Sequence, residues 1–210
     1  MSKAEVLDII LAGKVIAVIR MAEAGRLTRV VEAVRKGGVR AIEITMTTPS
    51  ALDIIADLAA NKPAGTLIGA GTVLDAPAAE KVIRAGAEFV VSPITDYGVI
   101  DVCRRNDVLV APGALSPTEI MAAWNRGADI VKVFPATSLG PKYFQDLRGP
   151  LPQVRLMPTG GVSLENAREF IRSGACCVAI GTALLDRKAI EAGGWDVLTE
   201  KARALVESLA

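Results

Sequence analysis

A lysine and a glutamate stand among neighbours that should exclude them. Lys132 lies between Ile130-Val131 and Val133-Phe134, the only lysine in the middle of a strand-like apolar run, and Glu43 lies within Ala41-Ile42-Glu43-Ile44-Thr45. Burying an ammonium without a partner is unfavourable, and desolvation depresses a lysine pKa until the neutral amine is accessible near about pH 7. A neutral amine in a dry pocket is a nucleophile that attacks a carbonyl to form a Schiff base. The same burial raises a carboxyl pKa, which makes Glu43 a candidate general base. The competing reading is a buried ion pair of Glu43 with Lys132 or Arg20, and both readings place Glu43 in the interior.

The rest of the composition narrows the chemistry. The 210 residues include no histidine, so Ser-His-Asp and Cys-His nucleophile pairs, His-bearing zinc sites and histidine proton shuttles are excluded. No cofactor or metal is expected. With 24 Lys plus Arg against 23 Asp plus Glu the formal net charge is +1, which provides no long-range field for nucleic acid or an acidic membrane. Three cysteines, Cys103, Cys176 and Cys177, cannot all pair within the chain and have no zinc spacing, so they read as core filler in a reducing compartment. Met1 to Glu5 has no secretory-signal pattern, and the longest uncharged stretch, Ser173 to Leu185, is too short to span a bilayer. A soluble, cytoplasmic protein is expected.

Elements that could position Lys132 and Glu43 are visible as short runs rich in Val and Ile. They are Val15 to Arg20, Ala41 to Thr45, Leu67 to Thr72, Phe89 to Pro93, Val108 to Gly113, Ile130 to Pro135, Arg155 to Gly160 and Cys177 to Thr182. These runs are continuously apolar, as parallel strands covered on both faces should be. Their spacing of about 20 to 27 residues accommodates a strand, a short helix and two tight loops. Gly38, Gly86, Gly127 and Gly174 stand where left-handed residues should end helices, and Asn106 can serve the same purpose. Thr48-Pro49, Ala76-Pro77, Ser116-Pro117-Thr118-Glu119 and Ser163-Leu164-Glu165 mark helix starts.

No linker divides residues 1–210, so one domain is expected. Strand-helix alternation predicts an α/β fold, either a single (β/α)8 TIM barrel or an open doubly wound sheet. The barrel is favoured because Arg20 to Gly25 lacks the glycine fingerprint that an open dinucleotide-binding sheet carries after its first strand. Lys3 to Ala12 reads as an extra amino-terminal helix that plugs one face.

In a parallel barrel the site lies at the carboxyl ends of the strands. Thr159-Gly160-Gly161 after the seventh run and Gly181-Thr182 after the eighth expose backbone amides at the recurrent phosphate position of this fold. Gly69-Ala70-Gly71-Thr72 lets a ligand approach the third strand, and Arg20 at the end of the first could hold a carboxylate in a bidentate pair. Thr45 to Thr48 rim the second strand, and Pro93, Phe134 and Pro135 offer apolar walls. Trp124 and Trp195 fall in helical stretches, as core or subunit contacts.

With these residues placed, the sequence strongly resembles the 2-keto-3-deoxy-6-phosphogluconate aldolase family, also called 4-hydroxy-2-oxoglutarate aldolases. The likeness runs from Val15-Ile16-Ala17-Val18-Ile19-Arg20 to Gly181-Thr182. Its most specific pieces are Glu43-Ile44-Thr45, Gly69-Ala70-Gly71-Thr72-Val73, Val91-Ser92-Pro93, Lys132-Val133-Phe134-Pro135-Ala136 and Pro158-Thr159-Gly160-Gly161-Val162. The resemblance implies a homotrimer of barrels and a class I aldolase acting on a keto acid phosphate. It also implies that Lys132 is the Schiff-base lysine and that Glu43 moves protons. Thr72, Pro93, Phe134 and Thr159 would shape the pyruvate end, and Gly160, Gly161 and Thr182 would bind phosphate. Some members carry an arginine four residues after the glutamate, where this chain has Thr47; Arg20 then becomes the candidate for the substrate carboxylate. Two rivals stay open: a sugar-phosphate epimerase or isomerase using Lys132 and Glu43 only as acid and base, and a non-catalytic barrel module.

Overall fold

The computed structural model describes residues 1–21 and 24–210. Its strands are β1 (Val15–Ile19), β2 (Ala41–Thr45), β3 (Leu67–Gly71), β4 (Phe89–Val91), β5 (Leu109–Ala111), β6 (Gly113–Ala114), β7 (Val131–Val133), β8 (Leu156–Pro158) and β9 (Val178–Ile180). The helices are α1 (Lys3–Gly13), α2 (Ala24–Lys36), α3 (Ala51–Asn61), α4 (Ala76–Arg84), α5 (Tyr97–Arg105), α6 (Pro117–Arg126), α7 (Gly140–Arg148), α8 (Ala167–Arg172), α9 (Arg187–Ala192) and α10 (Trp195–Leu209). Every strand pairing is parallel. One sheet has the order β5-β4-β3-β2-β1-β9 and the other β6-β7-β8, giving a curled parallel α/β layer. Among the described residues no helix is long and apolar enough to cross a membrane.

The fifth apolar run becomes two strands because Pro112 has no N–H to continue the ladder. Before it, β5 pairs with β4; after it, β6 pairs with β7, and Lys132 N donates to Pro112 O at 2.9 Å. Of the other strands β2 ends with its expected run, and the rest stop one or two residues short of their carboxyl ends, leaving Arg20, Thr72, Pro93, Phe134, Gly160 and Thr182 in the loops that follow.

Alternation sorts each strand between two cores, since successive side chains point to opposite faces. Val15, Ala17, Ile19, Ile42, Ile44, Ile68, Ala70, Val90, Val131 and Val133 join the large core shared with the surrounding helices. Ile16, Ala41, Leu67, Phe89, Leu109, Ile130, Met157 and Cys177 form a smaller, separate core with Val6 and Ile10 of α1. Helix α1 therefore plugs the amino-terminal end of the strands, as expected, and Lys3 pairs with Asp129 at 3.1 Å just before β7. Continuing the inner face toward the carboxyl ends passes through Glu43, Gly69, Gly71, Lys132 and Thr159. The polar site begins where the apolar filling stops.

Several local expectations are met and others are corrected. Gly38, Gly86, Gly127 and Gly174 are left-handed, but Asn106 is not (φ −97°); Asp107 takes that conformation instead (φ 53°). Pro77 lies in the first turn of α4, and Ser116 caps α6 in a reciprocal box with Glu119. Thr48-Pro49 does not start α3: Ser50 is its N-cap residue, and the Thr48 hydroxyl lies within hydrogen-bonding distance of Thr45 instead. Likewise α8 begins only at Ala167, since Ser163 to Asn166 form a turn in which Ser163 N donates to Asn166 Oδ1 at 2.8 Å. Cys103 and Cys177 are buried, and burial helps push the Cys103 thiol up to about 12, so its inert packing role stands.

Candidate active site

The alternation of β7 turns Lys132 away from Val131 and Val133, which pack against helices, and into the interior. Glu43 is placed the same way by Ile42 and Ile44. The two residues are 5% and 1% exposed. Lys132 Nζ lies 5.0 Å from the centroid of the Phe134 ring, a contact that favours a cation but does not hydrogen-bond it. Glu43 Oε2 is buried and has no hydrogen-bond partner among the described residues, so the carboxylate is not consumed by a fully satisfied ion pair there.

Electrostatics links the pair. Desolvation holds the Lys132 ammonium below the usual lysine range, and the positive charge of Arg20 adds to that, while Glu43 opposes it. Desolvation raises the Glu43 carboxyl, against the pull of Lys132 and Arg20. Both shifts favour the neutral forms. Such a pair offers a nucleophilic amine beside a carboxyl group able to exchange a proton.

The walls are shaped to admit this arrangement. A Cβ on Gly71 would stand 1.7 Å from Glu43 Oε1, so only glycine leaves room for the carboxylate there. The next residue, Thr72, adopts φ 60°, an unusual conformation for a β-branched side chain. It is held on both sides, by Met46 N donating to Gly71 O at 2.8 Å and Val73 N donating to Val91 O at 3.2 Å. Strain fixed in this way marks a position that the surrounding fold over-determines. Thr159 is anchored through its backbone, donating to Val133 O at 3.0 Å and accepting from Ala136 N at 2.9 Å. Its buried hydroxyl oxygen has no hydrogen-bond partner among the described residues.

A cavity of about 890 Å³ opens at the carboxyl ends of β1, β8 and β9, and Arg20, Phe134, Thr159, Gly160, Gly161, Gly181 and Thr182 all line it. Gly160 and Gly161 are successive left-handed residues (φ 85° and 73°), and a Cβ on Gly161 would come within 2.7 Å of Thr137 Cα. Pro93 lines a second hollow of about 380 Å³ that shares the Phe134 wall. Thr47 and Thr72 line neither hollow, and the Thr47 hydroxyl lies 3.0 Å from that of Thr45. Lys132 and Glu43 are buried rather than on the open walls. The sequence reading did not anticipate that Arg26, Arg187 and Glu191 also face the larger cavity. The available signal was the loop rule itself, followed a few residues beyond Thr182 into α9 for Arg187 and Glu191, and beyond Arg20 into α2 for Arg26.

Known proteins carry the same architecture. Residues 6–201 match the family described as KDPG and KHG aldolase. The 2-dehydro-3-deoxy-phosphogluconate aldolase of Pseudoalteromonas atlantica is 34% identical over 204 residues, covering 97% of this chain and 94% of that protein. The crystal structure of KDPG aldolase from Legionella pneumophila, with pyruvate captured at low pH as a covalent carbinolamine intermediate, superposes with a TM-score of 0.87 at 30% identity; it covers 95% of this chain and 97% of its own. A cube-shaped protein cage designed by fusing symmetric oligomeric domains superposes with a TM-score of 0.85 at 28% identity, covering 93% of this chain and 71% of its own. By the extent of these matches the chain belongs to the KDPG and KHG aldolase family.

Proposed function

We propose that this protein is a class I aldolase that cleaves 2-dehydro-3-deoxy-6-phosphogluconate to pyruvate and glyceraldehyde 3-phosphate, with 4-hydroxy-2-oxoglutarate as a second substrate. The observation that carries the reading is the buried Lys132 and Glu43 on the inner strand face, each held toward its neutral form. Neutral Lys132 Nζ attacks the C2 ketone, and the carbinolamine loses water to give an iminium. Glu43, directly or through a water, takes the proton of the C4 hydroxyl. The C3–C4 bond breaks, its electron pair moves into the iminium to form an enamine, and glyceraldehyde 3-phosphate leaves. Protonation at C3 and hydrolysis release pyruvate and restore the amine.

In this reading Arg20 holds the substrate carboxylate, with Thr47 occupying the place where some relatives carry arginine. Thr72, Pro93, Phe134 and Thr159 shape the pyruvate end. The amides of Gly160, Gly161 and Gly181 and the hydroxyl of Thr182 take the phosphate. The test is to incubate the protein with pyruvate and borohydride and locate the adduct by mass spectrometry. Reduction should add the pyruvate-derived group at Lys132 alone; an unmodified Lys132, or full activity in Lys132→Ala, overturns the proposal. An epimerase or isomerase using the same side chains forms no imine.

We also read the two sheets as one closed (β/α)8 barrel forming a single domain over residues 1–210. Support comes from the continuity of β5 and β6 across Pro112, the parallel bridge between Thr159 and Ala179, and the bond from Cys176 N to Leu156 O at 2.9 Å. A homotrimer is supported by apolar side chains left exposed on successive carboxyl-end loops, Leu74, Ile94, Leu115 and Phe134, with Tyr97 beside them. The designed cage that superposes on this chain is built from symmetric oligomeric domains. Three unpaired cysteines fit a cytoplasmic setting.

A further inference from the structure

Part of the wall of the larger cavity is built by α9, and among the described residues three guanidiniums, Arg20, Arg26 and Arg187, line that cavity against one carboxylate, Glu191. Arg26 serves as scaffold: its Nη1 donates to Ile190 O and to Glu191 O, each at 3.1 Å, which ties α2 to the end of α9. The start of α9 is held as well. Asp186 accepts from Ala189 N at 3.0 Å and pairs with Lys201 of α10 at 2.8 Å. Arg187 therefore extends from an element pinned at both ends.

Its present partner is a weak one. Arg187 Nε lies 2.8 Å from Glu191 Oε1 within the same helix, and the two side chains are 91% and 57% exposed. An (i, i+4) pair so open to water holds its arginine only loosely. A phosphate dianion seated on Gly160, Gly161 and Thr182, five residues before Arg187, would offer that guanidinium a stronger, bidentate acceptor.

We propose that Arg187 is a specificity-determining residue that leaves Glu191 to contact the substrate phosphate, with Glu191 as the internal competitor it exchanges against. This rests on the aldolase reading and adds a side-chain cation to a phosphate site otherwise made of backbone amides and one hydroxyl. Such a contact favours phosphorylated over unphosphorylated substrates without touching the reacting carbons.

The condensation of pyruvate with glyceraldehyde 3-phosphate tests it, because only one of the two substrates carries phosphate. In Arg187→Ala the KM for glyceraldehyde 3-phosphate should rise about 10- to 100-fold, while the KM for pyruvate changes less than about twofold. Arg187→Lys should recover part of the loss, and Glu191→Gln should lower the aldehyde KM about two- to threefold by removing the competitor. An unchanged aldehyde KM in Arg187→Ala, or a parallel rise for both substrates, overturns the assignment. Borohydride trapping of pyruvate keeps the two proposals apart: labelled Lys132 with an unaffected aldehyde KM sinks only the role of Arg187, and an unlabelled wild type sinks the aldolase reading itself.

Discussion

Asp129 and Glu88 precede strands β7 and β4 at the amino-terminal end, and the carboxylate of each is engaged by both a backbone amide and a lysine. Asp129 accepts from Val110 N at 3.0 Å and pairs with Lys3 at 3.1 Å; Glu88 accepts from Ile68 N at 3.0 Å and pairs with Lys62. Glu43, toward the other end of the same layer, is more deeply buried and leaves Oε2 without a partner among the described residues. Lys132 repeats the contrast among the cations, meeting a ring face where Lys3 and Lys62 meet carboxylates. A polar group that closes its hydrogen bonds within the fold serves architecture. One that is buried and left open is destabilising, and under the proposed reaction the substrate is what completes it.

Removing the most exposed consequence of this contrast should have the largest effect. Lys132→Met deletes the proposed nucleophile and should lower kcat by roughly 10⁴- to 10⁶-fold. The same substitution replaces a buried amine with an apolar side chain of similar length, so thermal denaturation should show Tm unchanged or higher. A collapse of stability alongside activity would mean that Lys132 is structural, and the distinction between the two ends would fail.

Glu43→Gln should lower kcat by roughly 10²- to 10⁴-fold, the range of a lost proton-transfer group. Its stability effect should depend on pH in a defined direction. Burial raises the Glu43 carboxyl above the usual 4.5 in the folded protein. Below 4.5 the group is protonated in both states and the substitution changes little. As pH climbs, the unfolded chain ionises first, so the wild type loses stability until pH passes the raised folded value. The Tm advantage of Glu43→Gln should therefore be absent near pH 4 and grow toward neutrality. A parallel offset at every pH would contradict it.

Asp129→Ala is the architectural counterpart. It strips a bond from Val110 N and the partner of Lys3, and should lower stability by about 1–3 kcal/mol by chemical denaturation, with kcat and KM retained. Loss of activity in the folded variant would show that the amino-terminal end also serves the chemistry.

Why the site was legible before the fold was complete follows from the same contrast. A charged residue inside an apolar run has few bland explanations, so Lys132 and Glu43 could be singled out from sequence, and the loop order then pointed to Gly160, Gly161 and Thr182. The two-core arrangement was hidden because both faces of each strand are apolar and alternation leaves no trace in hydropathy. Pro112 was readable as a residue that breaks a ladder, yet its role in handing one strand from β4 to β7 depends on pairing between distant segments. The left-handed step at Asp107 rather than Asn106, and the start of α3 after Ser50, are choices between adjacent residues with similar turn chemistry. Arg187 and Arg26 escaped notice for a different reason: arginines in helices read as solvated surface until the cavity wall they form is assembled.

The finest test of the comparison sets two buried threonines against each other. The Thr45 hydroxyl lies 3.0 Å from that of Thr47 and 3.4 Å from that of Thr48, whereas the Thr159 hydroxyl oxygen has no partner among the described residues. Valine keeps the shape of threonine and removes only the hydroxyl. Thr45→Val should lower stability by about 1 kcal/mol, because it breaks bonds already made in the folded chain. Thr159→Val breaks none, so its Tm should stay level or rise, and its effect should appear only with substrate present, as a roughly 2- to 10-fold increase in KM for the keto acid. Equal destabilisation by the two substitutions would show that the Thr159 hydroxyl is satisfied within the fold, and an unchanged KM would remove it from the pyruvate end of the site.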